Sequence, residues 1–391
     1  MQQKRHLLYV SGIVPRQSLG GSIILYRHLK LLEGSNWRIS VISSQQSVAK
    51  EKFPESWRVI TMPDRRWWWP PARPEIPGSL EVRLRLWQYE CNHLFRKERP
   101  SAILTVLWDS YSLFAALLSR AWQIPLSVIV HDDWELRASS ESHRRLVRQY
   151  QKIVMEQATR VWPVSSKLGS TINLKSPGKM SVLLPIPNGK RDSFIEWSDK
   201  FKFHPVITYA GNLYPSFTPV LKVVAKALEQ VNGTLLLVTN PNNSHLLELV
   251  KSSPNIKCHE PFKDNTEVIE FLSNNSSCIL VGYPFDSTEN LKLIGSFPSK
   301  LLEFSHVGVP LFILTPPNTA LSDWAADHEW LCYLTSVDKQ KLLLLLKELT
   351  DKEAWTKMAK QSRQVALNEF NPSLIQKQFE SELAVVNRGE G

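Results

Sequence analysis

Short apolar runs along the first half of the chain alternate with stretches whose apolar positions return every three or four residues. The runs Leu7–Ser11, Arg38–Ser43, Ala102–Val106 and Leu126–His131 have the length and content of strands. Ser22–Leu32 reads as a helix. Leu80–Arg99 does too, because Leu80, Leu84, Trp87, Cys91 and Leu94 recur at helical spacing. The second half repeats the alternation more regularly, with strands at Val206–Gly211, Thr234–Thr239, Asn255–His259, Cys278–Tyr283, Pro310–Leu314 and Trp330–Leu334. Helices Pro219–Gln230 and Ser244–Ser252 lie between them, and a long helical tail runs from about Ser336. Strands that alternate with helices predict α/β architecture: parallel sheets with helices on both faces. The chain has no heptads, no repeat and no low-complexity tract.

The alternation breaks at Pro185-Ile-Pro-Asn-Gly-Lys-Arg-Asp-Ser193, which continues without periodicity to about His204 and reads as a linker. A chain of 391 residues also exceeds what one core usually serves. The expectation is two doubly wound domains, 1–190 and 205–391, joined by residues 191–204, with the final helix able to pack back on the first. Their parallel sheets are expected to face each other across a cleft, with ligands beyond the carboxyl ends of the strands.

Composition narrows this further. No apolar run reaches the roughly 20 residues that span a bilayer. Met1–Val10 has basic residues before apolar ones, as a leader would, but Gly12 and Pro15 follow without a cleavage signature, so it reads as the first strand. The four cysteines are scattered, without metal-ligand spacing, and read as buried residues of a protein in a reducing compartment. Net charge is +10, but residues 1–190 hold 28 Lys/Arg against 14 Asp/Glu, while residues 191–391 hold 19 against 23. The first half, which also has 10 of the 14 Trp, is therefore the half expected to meet something anionic.

Four segments carry candidate chemistry. Gly20-Gly21 opens the first helix, where bare backbone lets a phosphate reach the helix amides; an ordinary glycine turn is the alternative. It is not a GxGxxG fingerprint. His131-Asp132-Asp133-Trp134 ends a buried-looking strand, where His131 can donate to a sugar hydroxyl or polarise a reacting group. The alternative is a helix cap made by Asp132 or Asp133 beside a bystander histidine. The two aspartates are adjacent rather than spaced as DxD, so no metal is expected. In Ser296-Phe-Pro-Ser-Lys-Leu-Leu-Glu-Phe304, Pro298 fits the first turn of a helix, with Ser296 or Phe297 in its cap region. Ser299 and Lys300 then sit near the positive end of the dipole, an unfavourable place for a lysine unless an anion is close. Glu303 is one turn on, suited to accept both hydroxyls of a ribose; Gly308 ends the helix. Finally, Val206–Leu213 runs a strand into Gly211-Asn212, a further close-approach loop.

Together these pieces resemble the two-domain GT-B glycosyltransferases, in particular the retaining family four branch, across nearly the whole chain. The most specific segment is Phe297-Pro-Ser-Lys-Leu-Leu-Glu-Phe-Ser-His-Val-Gly-Val-Pro310, which looks like that family's nucleotide-sugar helix. Trp162-Pro-Val-Ser-Ser-Lys-Leu168, Val182-Leu-Leu-Pro-Ile-Pro-Asn-Gly189 and Tyr209-Ala-Gly-Asn212 are similar to other family segments. The resemblance implies two Rossmann-like domains, ribose on Glu303, diphosphate against Gly20-Gly21, the donor sugar near His131 and the acceptor on the first half. Two positions depart from the pattern. Gly295 stands where the first glutamate of EX7E would be, and the arginine and lysine usual after the donor-domain glycine are missing from Gly211–Pro219. Lys300 becomes the leading candidate to offset the diphosphate charge, with Arg16 and Lys292 behind it.

The expected reaction is transfer of a sugar from a nucleoside diphosphate sugar to a hydroxyl of a lipid-linked or glycan acceptor. The resemblance implies retention. His131 and Lys300 are the catalytic candidates, with no cofactor beyond the sugar nucleotide. Donor binding falls to Gly20, Gly21, Gly211, Asn212, Ser296, Pro298, Ser299, Lys300 and Glu303. The segment containing Arg65, Arg66, Trp67, Trp68 and Trp69 joins aromatic to basic residues, and His143–Lys152 adds a basic helix. Both suggest a cytoplasmic protein held peripherally on an anionic membrane, with the Trp folding into the core as the alternative. An epimerase of the same fold and a non-catalytic nucleotide-sugar-binding subunit remain rival readings. Nucleic acid is not expected as a partner, because the basic residues lack a recognition setting.

Overall fold

The computed structural model describes residues 4–385 except 18–19, 50, 63–78, 139, 173–178, 189–194, 243 and 263. The chain divides into two compact units, Met1–Leu184 with Gln376–Gly391, and Pro185–Ile375.

The first unit is built on six parallel strands: β1 (Arg5–Val10), β2 (Trp37–Ser44), β3 (Arg58–Met62), β4 (Ala102–Val106), β5 (Leu126–Val130) and β6 (Arg160–Pro163). Their order is β3-β2-β1-β4-β5-β6. Leu7 of β1 lies opposite Ile39 of β2 on one side and Ala102 of β4 on the other. Every residue of β4 and β5 is buried, as are five of the six in β1. That is why these strands read as continuous apolar runs: helices cover both faces, so no face needs polar residues. The helix predicted over Ser22–Leu32 spans Gly20–Gly34, and the one over Leu80–Arg99 spans Ser79–Leu94.

The second unit repeats the plan with β7 (Val206–Ala210), β8 (Thr234–Val238), β9 (Ile256–His259), β10 (Cys278–Gly282), β11 (Leu311–Leu314) and β12 (Tyr333–Leu334). The order β12-β11-β10-β7-β8-β9 is the first sheet's order read from the opposite edge. Each sheet therefore reverses its winding once, between β1 and β4 in one and between β7 and β10 in the other. The helical tail consists of three helices, Lys339–Leu349, Lys352–Leu367 and Pro372–Val385. Asp338 and Asp351 break it by capping the first two, Asp338 accepting the N–H groups of Gln340 and Lys341 and Asp351 that of Ala354.

Candidate functional site

The reversal between β7 and β10 gathers the residues singled out in the second half. Where β7 ends, Gly211 donates its N–H to the Val238 carbonyl at 2.9 Å. Its φ of +122° lies where side chains are strained, and a Cβ there would sit 2.4 Å from Lys300 Nζ. The missing side chain is thus what lets the lysine cross the end of the strand. Lys300 Nζ stands 4.5 Å from the Tyr209 ring centroid and 3.5 Å from its hydroxyl. That hydroxyl donates to the Asn212 carbonyl at 2.6 Å, which leaves the exposed Asn212 side chain to solvent. Burial lowers the Lys300 pKa to about 8. Among the described residues no carboxylate forms an ion pair with it. A desolvated cation resting on an aromatic face is left able to meet an anion.

Lys300 belongs to the helix Ser299–Ser305. Pro298 does not enter its first turn, as expected from sequence, but stands just outside with φ −76° and ψ 116°. Its carbonyl accepts from Leu301 N at 3.0 Å, so the ring ends the extended approach instead of starting the helix. The Tyr283 hydroxyl donates to the Ser296 carbonyl at 3.0 Å, tying the helix entry to the segment after β10. Ser296 is buried and Ser299 partly so. Gly308, at φ +82°, ends the segment before β11.

Glu303 is buried, with 7% of its surface exposed. A carboxylate in that setting needs donors. Asn188 supplies its backbone N–H at 3.1 Å to Oε2 and 3.3 Å to Oε1, and Asn265 Nδ2 donates to Oε1 at 2.5 Å. Neither asparagine stood out in the sequence. Asn188 lies in the Pro-rich stretch, and Asn265 reads as one more residue beside the helix cap that Asp264 makes. Their separations of 115 and 38 residues from Glu303 leave no local signal.

The first unit has its own cluster at the carboxyl edge of its sheet. Gly20 begins the helix Gly20–Gly34, and a Cβ on Gly21 would approach His131 Nδ1 to 3.1 Å. Burial lowers the His131 pKa, with Asp132 opposing, so the ring is neutral at pH 7. Asp133 Oδ1 accepts from Glu135 N at 2.9 Å, but the single turn that follows, Glu135–Arg137, has Trp134 as its cap residue, so neither aspartate caps a helix there. Arg16 forms an ion pair with Glu51 at 3.0 Å. Asp109, after β4, was also missed. It accepts N–H groups from Tyr111 at 2.9 Å and from Gly12, and burial pushes its pKa up to about 6. It staples the loop after β1 to the helix Ser110–Trp122. Arg65, Arg66, Trp67, Trp68 and Trp69 lie outside the described residues. No helix among the described residues is long and apolar enough to cross a membrane.

Residues 24–189 match the model of the glycosyl transferase 4-like domain. No curated protein sequence matches the chain. Among solved structures, a glycosyltransferase from Rickettsia africae is 12% identical, with a TM-score of 0.68 and 100% of each chain covered. HepE from Anabaena, solved with UDP and glucose, is 12% identical with a TM-score of 0.62, covering 97% of this chain and 100% of its own. A putative UDP-N-acetylglucosamine 2-epimerase from Listeria monocytogenes is 14% identical with a TM-score of 0.54, covering 97% and 95%. At these identities the likeness speaks for the fold. The chain thus has the two-sheet GT-B fold that the motif around Glu303 led us to expect, and its residues 24–189 match a glycosyl transferase 4-like domain.

Proposed function

We propose that the protein transfers a sugar from a nucleoside diphosphate sugar to a hydroxyl acceptor. One observation carries the reading. A desolvated lysine and a buried, hydrogen-bonded glutamate lie three positions apart on one short helix, at the reversal point of a parallel sheet. A nucleoside diphosphate offers the complement: a polyanion for Lys300 and a vicinal diol for Glu303. HepE, which shares the fold, was solved with UDP, which supports a uridine nucleotide as the first candidate.

In this reading the Lys300 ammonium and the amides of Ser299 and Lys300 offset the charge that grows on the departing diphosphate, without a metal. Gly211 makes room for the lysine. Asn212, Ser296 and Pro298 shape the approach to the helix. The resemblance supports retention, and it supplies the roles of Gly20, Gly21 and His131 at the donor sugar and of the first unit in holding the acceptor. The basic, Trp-rich first half supports a lipid-linked or glycan acceptor and peripheral attachment to an anionic membrane on the cytoplasmic side.

A thermal-shift screen of nucleoside diphosphate sugars, followed by turnover of the best binder with a membrane extract, tests the activity. Glu303→Ala is expected to weaken donor binding about tenfold or more, or to abolish turnover. Unchanged affinity by calorimetry would remove the site. Gly295 favours a second reading, a subunit that binds the sugar nucleotide without using it. Donor binding with no turnover, even with lipid extract, selects that reading. Conversion of the donor without any acceptor would instead point to an epimerase.

A further inference from the structure

The amino edge of the first sheet, the end away from the loops that carry the candidate residues, gathers cations that sugar transfer does not use. Arg58 is the first residue of β3, Arg38 lies near the start of β2, Arg5 begins β1, and Arg96, Lys97 and Arg99 stand just before β4. These four strands are neighbours, so the edge they form is about 14 Å wide. Three of the guanidinium groups lie over aromatic rings: Arg5 over Trp37 at 5.0 Å, Arg58 over Phe95 at 4.9 Å and Arg99 over Trp122 at 5.1 Å. The rings are buried, at 3%, 1% and 8% exposure, and Phe95 meets Trp122 edge-on at 5.8 Å. The three arginines are exposed and rest on a firm floor. Opposing charge is scarce. Glu98 pairs with Arg38 at 2.6 Å and is the sole acid between Cys91 and Ala102. Among the described residues no carboxylate pairs with Arg5, Arg58, Arg96, Lys97 or Arg99. Burial, with the charges of Arg38 and Arg58 adding to it, lowers the pKa of His6 beneath this edge to about 4, although Glu98 opposes. Arg58 also donates to the Leu94 carbonyl at 3.3 Å, where the end of the helix Ser79–Leu94 favours a cation. That accounts for one cation; the rest repel one another until an anion joins them.

We propose that this edge is a docking surface for an acidic segment of a partner protein, whose carboxylates are held by the ring-mounted arginines. A guanidinium lying on a ring keeps its N–H groups pointing outward in a planar fork and has little freedom left to lose. It can therefore take a carboxylate through two parallel hydrogen bonds at small ordering cost. An edge about 14 Å wide matches about four residues of extended peptide. A bilayer fits less well, because the rings lie beneath the arginines and offer nothing to insert. A single-stranded nucleic acid stacks its bases on open ring faces, and these are covered. The surface is separate from the proposed donor site, so it stands or falls independently of sugar transfer.

The test uses the full chain and the fluorescence anisotropy of a labelled octaglutamate peptide at graded salt. Wild type is compared with Arg5→Lys/Arg58→Lys/Arg99→Lys, which keeps every charge, with the corresponding triple change to Gln, and with Arg145→Glu/Lys152→Glu on the helix Glu141–Gln157. Thermal midpoints check that each variant is folded. The Lys variant is expected to bind the peptide at least about fivefold more weakly and the Gln variant at least about tenfold, because the fork is lost in both and the charge only in the second. The helix variant should stay within about twofold of wild type. No binding by wild type at low salt overturns the proposal, and so does full binding by the Gln variant. An equal loss in the helix variant overturns it too, because net charge would then suffice. Full binding by the Lys variant overturns the role of the forks and with it the proposal. Phosphatidylglycerol vesicles and an oligothymidine are run beside the peptide. If the changes at Arg5, Arg58 and Arg99 weaken either of these and leave the peptide untouched, the occupant is lipid or nucleic acid and the proposal fails.

Discussion

Lys300 sets the residue scale, because its placement costs stability that a ligand can return. Its pKa falls from 10.5 to about 8 through burial. Below pH 8 the ammonium is charged in both the folded and unfolded chain, and the folded chain bears the full desolvation penalty. As pH rises from 8 toward 10.5 the folded state loses the proton first, the unfolded state binds more protons, and stability rises. Lys300→Met should therefore raise stability by about 2 kcal/mol at pH 7, after allowance for partial exposure of the side chain. The gain should shrink as pH passes 8. The same variant should lose at least about tenfold in nucleoside diphosphate affinity, a trade of function for stability that denaturant melts and calorimetry can follow together. Diphosphate binding near pH 8.5 should also draw protons from the buffer, seen as a binding heat that depends on buffer ionisation. Sequence made Lys300 and Glu303 legible because both sit in a short motif. It could not supply Tyr209 as the lysine's platform, or Asn188 and Asn265 as the glutamate's donors, since those contacts close only through the sheet.

At the scale of elements, the helix Pro372–Val385 shows how one polar anchor seats an apolar face. Phe379 and Leu383 are fully buried, and Phe379 lies 5.0 Å from the Trp162 ring. Glu382 accepts from Trp162 Nε1 at 2.6 Å, from Gln378 Nε2 at 3.0 Å and from the Ser181 hydroxyl, with Arg160 at 3.7 Å. Burial alone would raise its pKa, but the hydrogen bonds from Ser181, Trp162 and Gln378 outweigh burial and hold it below 4.5. The stabilisation is therefore complete above the unfolded value and disappears as pH falls through the folded one. Glu382→Ala should cost about 1–3 kcal/mol at pH 7, because it strands the indole N–H, and the difference from wild type should narrow under acid melts below pH 4.5. The helix was legible as part of a helical tail. Its anchor was not, because Trp162 and Glu382 are 220 residues apart.

On the scale of the whole molecule, the strand alternation was legible because central parallel strands are apolar throughout. The strand order was not, since nothing in periodicity says that β4 lies beside β1. The uneven charge was equally plain in the sequence, and the structure places exposed Arg145, Arg148 and Lys152 on the helix Glu141–Gln157 of the basic first half. Flotation with anionic vesicles should recover the protein at low salt and progressively less as salt rises. Changes at Arg145 and Lys152 to Glu, or at Arg65/Arg66 and Trp67–Trp69 to Ala, should each reduce recovery; insensitivity to all of them would remove the membrane reading. The return of residues from Gln376 onward to the first unit has a bearing on synthesis. Pro185–Ile375 is one continuous span and can close as soon as it leaves the ribosome. The half made first must wait for the half made last, with the Trp162 indole and His28, whose Nδ1 meets Gln376 Oε1 at 2.8 Å, open until then. A gene cut after Leu184 would encode a fragment that lacks its own keystone.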